Sequence, residues 1–220
     1  MSFRLRFGQP TVVRASDTNA VVTVDGVNVN VFRDLLSEGS THTISVADTQ
    51  IATDGRTRWR FASWSDGGTR IHDFTASAGG DTLTATLTPD YKAIVTAGPG
   101  GTVSAAPGVD LTQFLTKGSA VQLTATPNTG SRFGGWSGDT TSNNPIITLP
   151  MERPYTVVAS FLMTSDVVAQ LLNSGSPLSS EQLLYLDSKG NNNGVFDIGD
   201  FLAWLDASGA RVTAQKGGRP

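Results

Sequence analysis

The chain has 220 residues, 38% of them hydrophobic, with 24 glycines, four tryptophans and no cysteine. The missing cysteines exclude disulfides, thiolate catalysis and Cys-based zinc sites. The net charge of −3, from 16 Lys and Arg against 19 Asp and Glu, is too weak and mixed to imply nucleic acid or an anionic membrane as partner, and no apolar run nears the roughly 18 residues of a membrane span.

The opening "MSFRLRFGQP" alternates apolar and basic residues like a strand and lacks the apolar centre of a signal peptide. That start is expected of a piece of a longer precursor, with any export signal upstream. Short alternating runs then recur: "AVVTVDG" (20–26), "THTISVA" (41–47), "TRWRFASWS" (57–65), "DTLTATLTP" (81–89), "YKAIVTA" (91–97), "AVQLTATP" (120–127) and "PYTVVASF" (154–161). Thr and Val suit half-buried pleated surfaces, and Gly, Pro, Asn, Asp or Ser bounds each run, so residues 1–163 read as all-β.

This region repeats itself. "RFASWSDGGT" (60–69) matches "RFGGWSGDTT" (132–141), with 72 positions between Trp64 and Trp136. Upstream, "EGSTHTISVADT" (38–49) matches "KGSAVQLTATPNT" (117–129). Glycine turn, strand, "RF..WS" strand, polar turn and closing strand follow in the same order in both copies. Two tandem small antiparallel β modules are expected, residues 1–90 and 91–163, divided near Pro89–Tyr91.

The block "RFGGWSGDTTSNNPIITLPMERPYTVVASF" resembles the internalin-type B-repeat, with its aromatic-Gly-Trp-Ser-Gly strand and closing strand. The first copy is looser, with Ala62-Ser63 in place of glycines and a longer "ADTQIATDGRTR" connection. The resemblance implies a small β-grasp-like or sandwich-like unit, used as a spacer or as a binding or adhesion module in secreted bacterial proteins.

After Met163 the periodicity becomes helical. "TSDVVAQLLNSG" opens on capping candidates and places Val167, Val168, Leu171 and Leu172 on one face. "LSSEQLLYL" carries Leu183, Leu184 and Leu186, and "DFLAWLDASG" carries Phe201, Leu202 and Leu205. The expected unit is a helical module over 164–212, too small to be stable without a staple, followed by a disordered tail at 213–220.

Between the last two helices lies "LDSKGNNNGVFDIGDFLAWL". An EF-hand loop draws ligands from positions 1, 3, 5, 7, 9 and 12, with glycine at 6. With Gly194 at position 6, Asn191, Asn193, Asp197 and Asp200 fall on positions 3, 5, 9 and 12, and Val195 at 7 offers its carbonyl. Position 1 falls on Lys189, whose ammonium cannot ligate calcium; Asp187 replaces it if the entrance is about two residues longer. The loop and its flanking helices resemble half of a dockerin module. That resemblance implies Ca²⁺ held by Asp187, Asn191, Asn193, Asp197, Asp200 and the Val195 carbonyl. Two features of a full dockerin are absent: "LDASGARVTAQKGG" is no second loop, and Ile198-Gly199 stands where recognition residues are expected. The alternative is a plain Asn/Gly turn with Asp197 capping the last helix.

Trp64 and Trp136, once per module, read as core anchors, with sugar stacking as the alternative. His42 in a strand and His72 in a loop lack a third ligand for zinc. "GWSGD" is not a nucleophile elbow, and no acid/base or nucleophile constellation can be named, so no enzymatic activity is expected. The chain reads as an accessory region of a secreted or cell-surface bacterial protein. Its β modules would serve as spacer or adhesion units under a calcium-stapled cap. The alternatives are a docking module for a cohesin-type protein partner and a carbohydrate-binding appendage of a hydrolase, with a cell-surface polysaccharide as ligand.

Overall fold

The computed structural model describes residues 8–173 and 178–207. The expected disordered tail (213–220), the end of the first helix near Gly175 and most of the N-terminal strand-like run lie outside them. The first nine strands are β1 (Gln9–Ala15), β2 (Val22–Val24), β3 (Val27–Val29), β4 (Val31–Leu36), β5 (Thr41–Ser45), β6 (Thr49–Ile51), β7 (Thr57–Trp64), β8 (Ile71–Thr75) and β9 (Asp81–Tyr91). There follow β10 (Ala93–Ala97), β11 (Gly101–Ala105), β12 (Leu115–Thr116), β13 (Ala120–Pro127), β14 (Ser131–Gly138), β15 (Ile146–Pro150) and β16 (Tyr155–Met163). Three short helices close the chain: α1 (Thr164–Leu171), α2 (Ser180–Asp187) and α3 (Ile198–Ala207). The protein is mainly β, as the alternation implies.

The chain divides into two compact units. One takes in Met1–Ala93 with Leu111–Ser119 and Pro150–Pro154; the other takes in Ile94–Asp110, Ala120–Leu149 and Tyr155–Pro220.

In the first unit one sheet runs β4-β1-β9-β7-β6, with β12 also paired to β9, and the other runs β3-β2-β5-β8. Their inner faces share one core, with Val13, Ala15, Leu83 and Leu87 from the larger sheet and Val22, Ile44 and Phe74 from the smaller. That is a β-sandwich. The expectation of purely antiparallel modules needs one correction: β1 lies parallel to β9, from Thr11 beside Asp81 to Ala15 beside Ala85. The strand reaches this place by a long connection, which local alternation cannot announce.

Strand β7 shows how burial phase is set. Trp59 faces inward while its neighbours Arg58 and Arg60 face outward. Trp64 would fall in the arginines' phase, but a bulge between Phe61 and Ser63 shifts the register and turns it into the core. One extra residue exchanges the two faces downstream of it.

In the second unit the sheets run β10-β16-β14 and β11-β13-β15. Val121, Leu123, Ala125, Trp136, Leu149 and Val157 are buried there. The helices belong to the same unit and build their own cluster of Val167, Leu178, Leu186 and Trp204 around Leu162 of β16. Helix α2 opens on a full capping box, with Ser179 and Gln182 bonding each other's backbone. Helix α1 has no side-chain cap, because β16 runs into it directly at Met163. Only part of each expected apolar face is buried. Val167 and Leu186 turn inward, and so does Trp204 beside the expected Phe201, Leu202 and Leu205, whereas Leu172, Leu184 and Leu202 are exposed, since each short helix packs along one narrow side. Among the described residues no helix is long and apolar enough to cross a membrane.

Candidate functional site

The loop between α2 and α3 is organised around two buried carboxylates. Asp187 closes α2 and is 2% exposed; Asp200 lies in the first turn of α3 and is 0% exposed. The Asp187 oxygens accept the backbone N–H groups of Asn193 (2.9 Å) and Gly194 (3.0 Å). Those of Asp200 accept from Asn191 (3.1 Å) and Asp197 (2.9 Å). The side chains between them make shorter arcs: Asn191 Oδ1 accepts from Asn193 N at 3.0 Å, and Asn193 Oδ1 from Val195 N at 2.9 Å. Gly194 makes the turn with φ +89°, a conformation that favours a residue without Cβ. At Gly190 a Cβ would strike the Asp200 carboxylate.

Lys189 turns away, its ammonium 4.6 Å from the centroid of the Tyr185 ring. Asp187 points into the loop, where it accepts the two amides above. Asp197 is turned to the start of α3, where Oδ1 accepts from Gly199 N (2.6 Å) and Asp200 N (3.3 Å). Asp197 thus caps α3, as the plain-turn alternative expects. Val195 is exposed. Among the described residues no three His, Cys, Asp or Glu side chains converge on a point that could hold a metal ion.

The loop unit is seated on the second repeat strand. The Tyr185 hydroxyl donates to the Phe133 carbonyl at 2.9 Å, and Arg132 stacks on the Trp204 ring at 5.1 Å. Burial pushes the Tyr185 phenol above its usual range.

Trp64 and Trp136 are 2% and 3% exposed. Each indole N–H donates to a backbone carbonyl, Trp64 to Arg70 (3.2 Å) and Trp136 to Pro145 (3.3 Å). The sugar-stacking alternative for these rings is thereby corrected: they are core, with the polar handle satisfied internally. His42 lies in β5 as expected and bonds Asp25 (2.7 Å) and Ser40 (2.8 Å). His72 lies in strand β8 rather than a loop and bonds Asp66 at 2.8 Å. The hydrogen bond from His42 holds the Asp25 carboxyl below its usual range. Partial burial pushes the Asp66 carboxyl up, but His72 and the Gly68 amide outweigh it, and the net shift is downward.

Sequence reasoning missed a second charged centre. Asp90, 1% exposed, takes both Arg58 and Arg60. Arg58 Nη2 reaches Asp90 Oδ2 at 2.6 Å, Arg60 Nε reaches it at 2.7 Å, and Arg60 Nη2 reaches Oδ1 at 2.9 Å. Desolvation pushes the Asp90 carboxyl up, and the two guanidiniums more than reverse it, leaving it below the usual carboxylate range. The alternation "RWR" was the available signal, since it points two cations to one face of a strand.

A family model described as "Divergent InlB B-repeat domain" matches residues 91–165. The match covers the second repeat copy and ends as α1 begins. No curated protein matches the chain.

Proposed function

We propose that the chain is a non-catalytic accessory region of a secreted or cell-surface bacterial protein, with spacer or adhesion β modules and a calcium-stapled helical cap. The B-repeat match over 91–165 supports the accessory role. The calcium part is carried by one observation: two almost fully buried carboxylates in one loop, Asp187 and Asp200, whose partners are backbone N–H groups. Burying charge away from water is expensive unless it is compensated, and amides compensate only in part. Each carboxylate oxygen retains a lone pair after one hydrogen bond. The donor set is all oxygen, which suits calcium.

Oxygens from Asp187, Asn191, Asn193, Asp197, Asp200 and the Val195 carbonyl would hold the ion, with Asp197 swinging in from its cap. Bound calcium would neutralise the buried carboxylates and tie α2 to α3, coupling ligation to folding. A calorimetric melt in calcium and then in EDTA tests this. Calcium at a hundred times its Kd is expected to add about 2.7 kcal/mol, and Asp187→Asn or Asp200→Asn should abolish the difference. An unchanged melting temperature with no metal retained after dialysis would sink the calcium reading and leave the accessory role intact.

A second reading, docking of a protein partner, is favoured by an open cavity of about 750 Å³ beside the loop, lined by Leu171, Leu183, Phe196 and Ile198 among others. Leu184, Val195 and Ile198 are exposed at it. Retention by immobilised cohesin modules at micromolar concentration would favour this reading; no retention would remove it.

A further inference from the structure

The outer face of the larger sheet in the first unit carries charge out of keeping with the whole chain. Arg33 stands opposite Val12 and Arg14 beside Thr84, while Arg58 faces Asp90 and Arg60 faces Thr88. Residues paired across strands share a face, as do alternate residues along one strand. All four arginines therefore project from the side opposite Val13, Leu83 and Trp59, which enter the core. Lys92 joins them at the end of β9, sharing the Phe114 ring with Arg58, each 4.9 Å from its centroid. The paired registers put one carboxylate on this face, Asp90. Within those registers four arginines less that carboxylate leave +3, on a chain of net −3. Beside the cluster, Arg56 accepts Lys92 N at its carbonyl, while its Nε and Nη2 are buried with no hydrogen-bond partner.

Between the arginine-bearing strands β1 and β7 runs β9, whose outward residues Thr82, Thr84, Thr86 and Thr88 form a line of hydroxyls. A hollow of about 340 Å³ opens among Arg14, Arg33, Ser16 and Thr84. Asp90 holds Arg58 and Arg60 side by side, so little side-chain freedom remains to be lost on binding.

We propose that this face binds a linear acidic polysaccharide laid along β9, its carboxylates received by the guanidinium forks of Arg14 and Arg33, with Arg58 and Arg60 adding positive charge, and its hydroxyls by the threonines. The face suits a sugar polymer better than nucleic acid. Hydroxyl donors and acceptors run along its centre, whereas the stacking rings that single strands need are absent from the described strands here, Phe114 being engaged by two cations. The inference names a ligand for the accessory role and takes its setting from that reading. It uses none of the loop residues, so calcium binding can fail without touching it.

The test uses the full chain in EDTA, with polygalacturonate as probe and dextran, single-stranded DNA and phosphatidylglycerol vesicles as comparators. Retention by polygalacturonate that weakens with salt, with none by dextran, is expected. The exposed pair Arg14→Gln and Arg33→Gln together should weaken binding at least about tenfold, the equivalent of one lost charged hydrogen bond, with an unchanged melting temperature. No retention by polygalacturonate, equal retention by dextran, or an unaffected double variant would overturn the proposal. Tighter binding to DNA or to the vesicles would overturn it in favour of that partner.

Discussion

The two "RF..W" strands solve one problem with different residues. In β7 the bulge lies between Phe61 and Ser63; in β14 it lies between Phe133 and Gly135. Both turn a tryptophan into the core, and both stack it near the preceding phenylalanine, at 6.5 Å for Phe61–Trp64 and 6.0 Å for Phe133–Trp136. What differs is the outside of the bulge. Ala62 and Ser63 are exposed, whereas Gly134 and Gly135 are buried. A Cβ on Gly134 would come within 3.1 Å of Leu162, and Gly135 has φ +114° with Tyr185 at 3.8 Å from its would-be Cβ. The glycines thus leave the Phe133 carbonyl open for the Tyr185 hydroxyl. The bulge belongs to the shared architecture, and the glycines belong to the helices that sit on it.

Four measurements would break or sharpen this comparison. Trp64→Ala and Trp136→Ala should each destabilise by about 3–5 kcal/mol, each lowering one calorimetric transition; a small effect at either would deny that the two rings are equivalent. Gly135→Ala should cost about 1–3 kcal/mol through its positive φ, whereas Ser63→Gly should cost about 0.5–1 kcal/mol; equal costs would mean the glycine is incidental. Tyr185→Phe should lose about 0.5–1.5 kcal/mol and speed amide exchange in α2 while leaving the first unit unchanged. The smallest effect belongs to pH. Asp90 has its carboxyl depressed in the folded state, so its contribution is present above the unfolded value near pH 4 and fades as pH falls through the folded one. Asp90→Asn should flatten that acid limb, and an acid transition identical to the parent's would show the arginine pair to be inert.

Strand positions were legible because half-buried strands force alternation, and alternation is local. The bulges were not. A shift of register shows in sequence only as a tryptophan out of phase, and Trp64 looks ordinary without its partner Ala85. The same holds for β1, whose parallel neighbour lies about seventy residues away. In the loop, the Asn and Asp spacing could be read directly. The seat of Lys189 over the Tyr185 ring could not, because Tyr185 is itself bonded to Phe133, 52 residues distant. The Arg58–Asp90 pairing, 32 residues apart, was hidden for the same reason.

The pairing of β12 with β9, Leu115 against Tyr91 and Thr116 against Asp90, bears on the order in which the protein can be made. Synthesis runs from the N-terminus, and the first sandwich has all nine of its leading strands once Tyr91 has emerged. Its β9 edge near Asp90 then waits for residues 115–116, and the unit also draws on Pro150–Pro154. For some twenty-five residues of elongation, from Tyr91 to Thr116, a nearly finished domain holds a strand end open on the ribosome.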